Sequence, residues 1–203
     1  TKRVANGPTD RGFDYFYGLT SPSGPPHLYM VNDMAEKQPN TRFEESGGGL
    51  YKIKGGIGHS DWSADGMQPH LADKMLEYLD ENKDSDKPFF LYMALTAPHI
   101  PLFPSKEFKG KSKIGDYGDL VMMIDDIVGR VNRKLKEIGK YDNTIVMFAA
   151  DNGCAGYINM DRINRKGHYP SYIYRGYKSH GWEGGHRIPF ILSWGDRYGH
   201  VTD

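Results

Sequence analysis

Three groups of residues in this sequence have the types and the surroundings to handle a metal ion and a small anion. Asp151 and Asn152 set a carboxylate beside an amide carbonyl, both hard oxygen donors, and Gly153 follows them so that the chain can turn sharply. Oxygen donors of this kind suit calcium or magnesium, although Asp-Asn-Gly is also ordinary turn chemistry. His99 stands between Pro98 and Pro101, and a histidine on so stiff a loop can hydrogen-bond an anion or donate a proton, whereas many loop histidines do neither. Lys178 lies in a stretch with glycines at 176, 181, 184 and 185. Those glycines let backbone approach a ligand closely, while a solvated surface position is the commonest fate of a lysine. Glu183 and Arg187 are spaced to pair with each other and anchor this loop, and His168, His180 and His186 have no partner that the sequence reveals.

Position raises the weight of these groups. From Pro69 to Asn82 the apolar residues Leu71, Met75, Tyr78 and Leu79 recur at helical spacing, which predicts an amphipathic helix. The apolar run 88–95 predicts a strand covered on both faces, and the proline-rich loop 96–104 then carries His99 away from its carboxyl end. A long helix is expected from about Asp116 to Ile138, with Leu120, Ile124, Ile127, Val128, Val131, Leu135 and Ile138 on one stripe and Gly139 just past its end. A second apolar strand, 144–150, stops at Asp151, and Ile188 to Trp194 reads as a third. Strand, helix, strand predicts a βαβ unit with parallel strands, so that His99 and the Asp151–Asn152 pair leave the same edge of one sheet. Ligands in open α/β sheets bind at that edge.

Composition narrows the alternatives. The chain has 203 residues, 38% hydrophobic and 26% charged, which is ordinary for a folded domain with one core. Lysine plus arginine equals aspartate plus glutamate, 26 each, so no global field draws nucleic acid or an anionic membrane, and an anion must be captured by a local cluster. No apolar run reaches the roughly 20 residues needed to cross a bilayer. Cys154 is the single cysteine and cannot form an internal disulfide. Residues 1–66 concentrate glycine, proline and tyrosine and read as loops and short strands, with regular α/β organisation only in 67–203; the change is one of texture within a single domain.

Several motifs in order then point to a family. Thr96-Ala-Pro-His-Ile-Pro-Leu-Phe-Pro104, Ala150-Asp-Asn-Gly153, and Arg175-Gly-Tyr-Lys178 followed by Trp182-Glu-Gly-Gly-His-Arg-Ile-Pro189 resemble successive signatures of the sulfatases, in the arylsulfatase A-like branch of the alkaline-phosphatase-like superfamily. Gly12-Phe-Asp-Tyr-Phe-Tyr-Gly18 resembles the segment that follows the family's first active-site block, and Pro25-Pro-His-Leu-Tyr-Met-Val-Asn-Asp33 its substrate-side loop.

The resemblance implies an incomplete α/β three-layer sandwich with a mostly parallel central sheet, and the hydrolysis of sulfate esters, including those of sulfated glycans. It implies that Asp151 and Asn152 form the second pair of calcium ligands, that His99 contacts the sulfate and that Lys178 holds a sulfate oxygen; His168, at the start of a loop that could meet sugar rings, is a further substrate-binding candidate. It also implies a periplasmic or extracellular setting. The family's formylglycine arises from Cys/Ser-x-Pro-Ser-Arg, and no such motif occurs here, since Cys154 is followed by Ala-Gly-Tyr and Ser21-Pro-Ser-Gly24 lacks the arginine. The first calcium-binding aspartate pair is absent as well. The expectation is therefore an internal fragment, inactive alone, with the formylglycine in an upstream segment and with exposed surface open to self-association. A phosphonate or phosphodiester hydrolase of the same superfamily and a non-catalytic carbohydrate-binding relative are the competing readings. Keeping His99, Asp151, Asn152 and Lys178 together argues against the second. The segments 25–33 and 168–174 could stack on sugar rings or pack against sequence outside the chain.

Overall fold

A computed structural model describes residues 3–21 and 24–195. The first third is built from short antiparallel pieces, as its glycine and proline content requires. The strands β1 (Tyr17–Gly18), β2 (Met30–Val31) and β3 (Met34–Ala35) form one small sheet, and β4 (Thr41–Phe43) pairs with β5 (Gly56–Gly58) in another. Their apolar side chains gather around Tyr29, Trp62 and Met67. His27 is buried against Trp62 at 4.4 Å between ring centroids, with its Nε2 2.7 Å from the Lys54 carbonyl, so this histidine is satisfied within the core.

Helix α1 (Met67–Glu81) follows and buries Ala72, Met75 and Leu79 on one face. After residues 88–95, helix α2 (Asp116–Glu137) buries Leu120, Met123, Ile124, Ile127 and Leu135. Both helices arise where the hydrophobic spacing places them. The start of α2 carries Asp116 and Asp119 and its last turn Lys134 and Lys136, each complementary to the helix dipole. Gly139, at φ 69°, ends α2 as the left-handed residue expected there, with its N–H donated to the Lys136 carbonyl. The two helices pack through Ala72, Leu120, Met123 and Ile127, joined by Leu102 and Phe108. Arg130 pairs with Asp73, and Lys134 lies 3.5 Å from Asp80 across the same seam. Asp119 has no exposed surface and accepts the backbone N–H groups of Gly110 and Ser112 at 2.7 and 2.6 Å, which fastens the loop before α2 to the helix.

The strand expectations need correction. Residues 88–95 belong to none of the ladders. They do alternate: Met93 and Leu95 pack on the helix core while Phe90 and Tyr92 are 79% and 70% exposed. A continuous apolar run thus reports strand-like alternation, but the spacing in a sequence does not supply a hydrogen-bonding neighbour, and no described strand lies beside this run. Strand β6 (Ile145–Ala149) pairs with β7 (Phe190–Trp194) in antiparallel register, Ile145 opposite Trp194 and Ala149 opposite Phe190. The expected parallel βαβ pairing of 88–95 with 144–150 is therefore not formed among the described residues. Coverage on both faces is not observed either, since Met147, Phe190, Ile191 and Leu192 are all more than half exposed.

Between the two strands the chain forms two short helices, α3 (Met160–Asn164), capped by the Asn159 side chain on the Arg162 N–H, and α4 (Glu183–His186). The antiparallel register decides what stands next to what. The carboxyl end of β6 meets the amino end of β7, so the Asp151 turn lies beside the glycine-rich segment that enters β7.

Candidate active site

The Asp151–Gly153 turn leaves β6 at Ala149 and is held by backbone contact with the segment opposite. The Gly153 N–H donates to the Gly185 carbonyl at 2.9 Å, and a Cβ at Gly153 would lie 1.9 Å from the Gly184 carbonyl oxygen. The same crowding recurs one layer on: a Cβ at Gly184 would lie 2.2 Å from the Gly176 oxygen and one at Gly185 2.1 Å from the His180 oxygen. Glycine is thus required because backbone meets backbone. This corrects the expectation that the glycines at 184 and 185 serve approach to a ligand, while Gly176 holds a left-handed φ of 89° and Gly181 meets nothing within 4 Å. Gly153 likewise serves close packing at this crossing. The stack fixes Lys178 relative to the turn, because the Lys178 N–H donates to the Cys154 carbonyl at 2.8 Å.

All five residues expected at the site, His99, Asp151, Asn152, His168 and Lys178, line one open cleft of about 1660 Å³. The cleft is large, and it also takes in β1 residues and parts of α1 and α2. Its chemistry at this end depends on which groups remain uncommitted. No described residue forms a hydrogen bond or ion pair with the Asp151 carboxylate, the Asn152 Oδ1 or the Lys178 ammonium. The Asn152 amide donates to the Gly153 carbonyl at 2.9 Å, which leaves its oxygen outward as an acceptor. His99 Nδ1 sits 2.7 Å from the Ile100 carbonyl. A carbonyl only accepts, so Nδ1 carries the hydrogen and Nε2 is left to face a ligand.

Two neighbours of the site were not legible in the sequence. Tyr157 meets the His99 ring edge-on at 6.1 Å between centroids, and partial burial, with Cys154 and Asp151 nearby, pushes its phenol pKa up. The only sequence signal was its place six residues after Asp151. Arg187 lines the cleft and also makes the expected pair with Glu183, at 3.2 Å from Nη1 to Oε2. His180, given no partner above, packs at a tilt on the Tyr177 ring at 4.1 Å between centroids, and His186 lies 3.6 Å from Glu183.

The donor set fits part of a calcium site. Asp151 and Asn152 offer two uncommitted oxygens, whereas calcium takes about six to eight, and no group of three or more histidine, cysteine or acidic side chains able to hold a metal occurs among the described residues. Formylglycine does not fit Cys154. That thiol is half-buried, 3.6 Å from the Tyr117 hydroxyl and 3.7 Å from the Met160 sulfur, and no Pro-Ser-Arg follows it.

Comparison with known proteins decides the family. The family model Sulfatase matches residues 3–203. The chain belongs to the sulfatase family. Among curated sulfatases, the N-acetylgalactosamine-6-O-sulfatase of Bacteroides thetaiotaomicron is 35% identical over 136 residues, which is 66% of this chain and 26% of that protein. The arylsulfatase of Hemicentrotus pulcherrimus is 37% identical over 129 residues, 64% of this chain and 22% of that protein. A solved structure from work on the metabolism of multiple glycosaminoglycans by Bacteroides thetaiotaomicron superposes with a TM-score of 0.78 at 25% identity, over 95% of this chain and 48% of that one. The α/β, alkaline-phosphatase-like fold expected from the resemblance is the fold of the sulfatase structures this chain matches. The matched region spans about a quarter of the curated relatives' length and about half of the solved chain.

Proposed function

We propose that this sulfatase chain supplies the sulfate-holding half of a catalytic site that hydrolyses sulfate esters of glycans, and that residues 1–203 belong to one catalytic domain. The observation that carries the reading is the shared cleft, which His99, Asp151, Asn152, His168 and Lys178 all line. Lys178 binds one sulfate oxygen as a point charge, and His99 presents Nε2 to another or to the bridging oxygen of the ester. His168 contacts the sugar. The Lys178 ammonium on the sulfate offsets part of its charge and favours the crowded transition state over the ground state. Asp151 and Asn152 would hold calcium, which when bound supplies a fixed positive charge at the same sulfate. The residues of this chain do the holding and orienting; they provide no group equivalent to the formylglycine.

The glycan part of the reading draws on the matched N-acetylgalactosamine-6-O-sulfatase and the glycosaminoglycan context of the matched structure. A periplasmic or extracellular location is proposed on the same family ground, and no described helix is long and apolar enough to cross a membrane. The test is a chromogenic aryl sulfate assay with calcium. The 203 residues alone should give no turnover above background, while a polypeptide extended upstream to include a Cys/Ser-x-Pro-Ser-Arg motif should be active. In that longer protein, Lys178→Ala and His99→Ala should each lower kcat by about 10²- to 10³-fold. Unchanged kcat in both variants would overturn the assignment.

A further inference from the structure

One short stretch of chain, residues 151–157, touches every group assigned to the sulfate site. Asp151 and Asn152 begin it, and the Cys154 carbonyl in its middle accepts the Lys178 N–H at 2.8 Å. At its far end Tyr157 meets the His99 imidazole edge-on, with 6.1 Å between ring centroids and 75° between planes. A backbone hydrogen bond also joins Ile100 to the Tyr157 hydroxyl. The one backbone donor of Ile100 is its N–H, so the phenol oxygen is the acceptor. The Ile100 carbonyl in turn holds His99 Nδ1 at 2.7 Å, and the His99 N–H donates to the Thr96 carbonyl at 3.0 Å. Ile100 is thus gripped at its N–H by the phenol and at its carbonyl by the imidazole. Tyr157 is itself fixed by the helical turn Gly156–Ile158. Gly156 lies so close to Tyr177 that a Cβ there would be 2.5 Å from that ring, and Ile158 is buried. Tyr157 lines the same cleft as His99, Asp151, Asn152 and Lys178.

We propose that Tyr157 is a positioning residue: it holds the His99 imidazole with Nε2 toward the sulfate and ties it to the stretch of chain that carries the oxygen pair and anchors Lys178. The proposal deepens the sulfate-ester reading and rests on it. His99 is exposed, and the Ile100 carbonyl is the one hydrogen-bond partner its ring has among the described residues. An imidazole held by a single bond can turn over about Cβ–Cγ, which exchanges the places of its ring nitrogens and of its bound hydrogen. Two features of Tyr157 oppose that turn. An edge-to-face pair favours one relative orientation of the rings, and the hydroxyl keeps Ile100, and with it the carbonyl that selects the Nδ1–H form, in place. Because the same stretch fixes Lys178 through Cys154, the histidine and the lysine are referred to one piece of backbone.

Nitrogen-15 NMR of the 203-residue chain at pH 8, without sulfate, reads the tautomer of the neutral His99 ring directly. Wild type should hold the Nδ1–H form. Tyr157→Ala should lower the ratio of Nδ1–H to Nε2–H by about three- to tenfold, the size of an aromatic pair contact. Tyr157→Phe keeps the ring and loses only the hydroxyl, and should lower the ratio by about twofold. Tyr157 is 41% exposed, so neither change opens the core, and amide spectra unchanged away from residues 96–101 and 154–160 check that the fold is intact. A wild-type ratio in either variant would overturn the positioning role, and Tyr157→Phe gives that answer even if the alanine variant fails to fold. Inorganic sulfate with calcium then probes the site itself. A wild-type His99 that keeps its tautomer yet ignores sulfate would count against the sulfate reading alone, so the two fail separately.

Discussion

At the scale of single residues, the site is made of side chains whose partners have been withheld and others whose partners are fixed. Among the described residues the side chains of Asp151 and Lys178 have no hydrogen-bond or ion-pair partner, while His99 has one nitrogen committed to the Ile100 carbonyl. These candidates could be picked from the sequence because the order of the motifs that hold them resembles that of a family. Tyr157 could not, since its role depends on a ring contact with His99 across 58 positions of chain, which no local pattern encodes. Cys154 offers a prediction at this scale. Burial pushes its thiol pKa up more than the Tyr117 hydrogen bond lowers it, so the reactive thiolate is scarce at pH 8. Alkylation by iodoacetamide should be at least about tenfold slower than for a free thiol at pH 8 and should speed up as pH rises further. A rate equal to that of glutathione would show the thiol to be accessible and ionised.

At the scale of elements, the helices were readable and the sheet was not. Helix α2 gathers a stripe of apolar residues at a period that only a helix satisfies, and Gly139 marks its end. The apolar runs 88–95 and 144–150 announced strands, yet a run says nothing about its neighbour or direction. The ladder that forms joins β6 to β7 in antiparallel register. That register brings the glycine-rich entry of β7 against the Asp151 turn and produces the backbone crossing at Gly153, Gly184 and Gly185. Placing an alanine methyl at Gly153 should therefore destabilise the chain by at least about 1–3 kcal/mol, as overpacking does. Gly181, which meets nothing within 4 Å, should accept alanine within about 0.5 kcal/mol. Urea midpoints of Gly153→Ala and Gly181→Ala give the comparison, and equal midpoints would show that the crossing is not what demands glycine.

At the scale of the whole molecule, a helix pair and three small sheets frame a cleft whose wall carries the two oxygen donors of the Asp151 turn together with His99, His168 and Lys178. The apolar rings of β7 and of residues 88–95 stand exposed around it. The central claim is that the imidazole, the two oxygens and the ammonium act on one ligand. The most direct measurement is an NMR titration of the chain with calcium and then inorganic sulfate. With only part of a ligand set, calcium should bind weakly, about 10⁻⁴ to 10⁻³ M. It should shift the Asp151, Asn152 and Gly153 amides, and sulfate added afterwards should move the Lys178 and His99 signals together, more strongly with calcium than without. Sulfate shifts at Lys178 and His99 that saturate independently, or that ignore calcium, would contradict a common site.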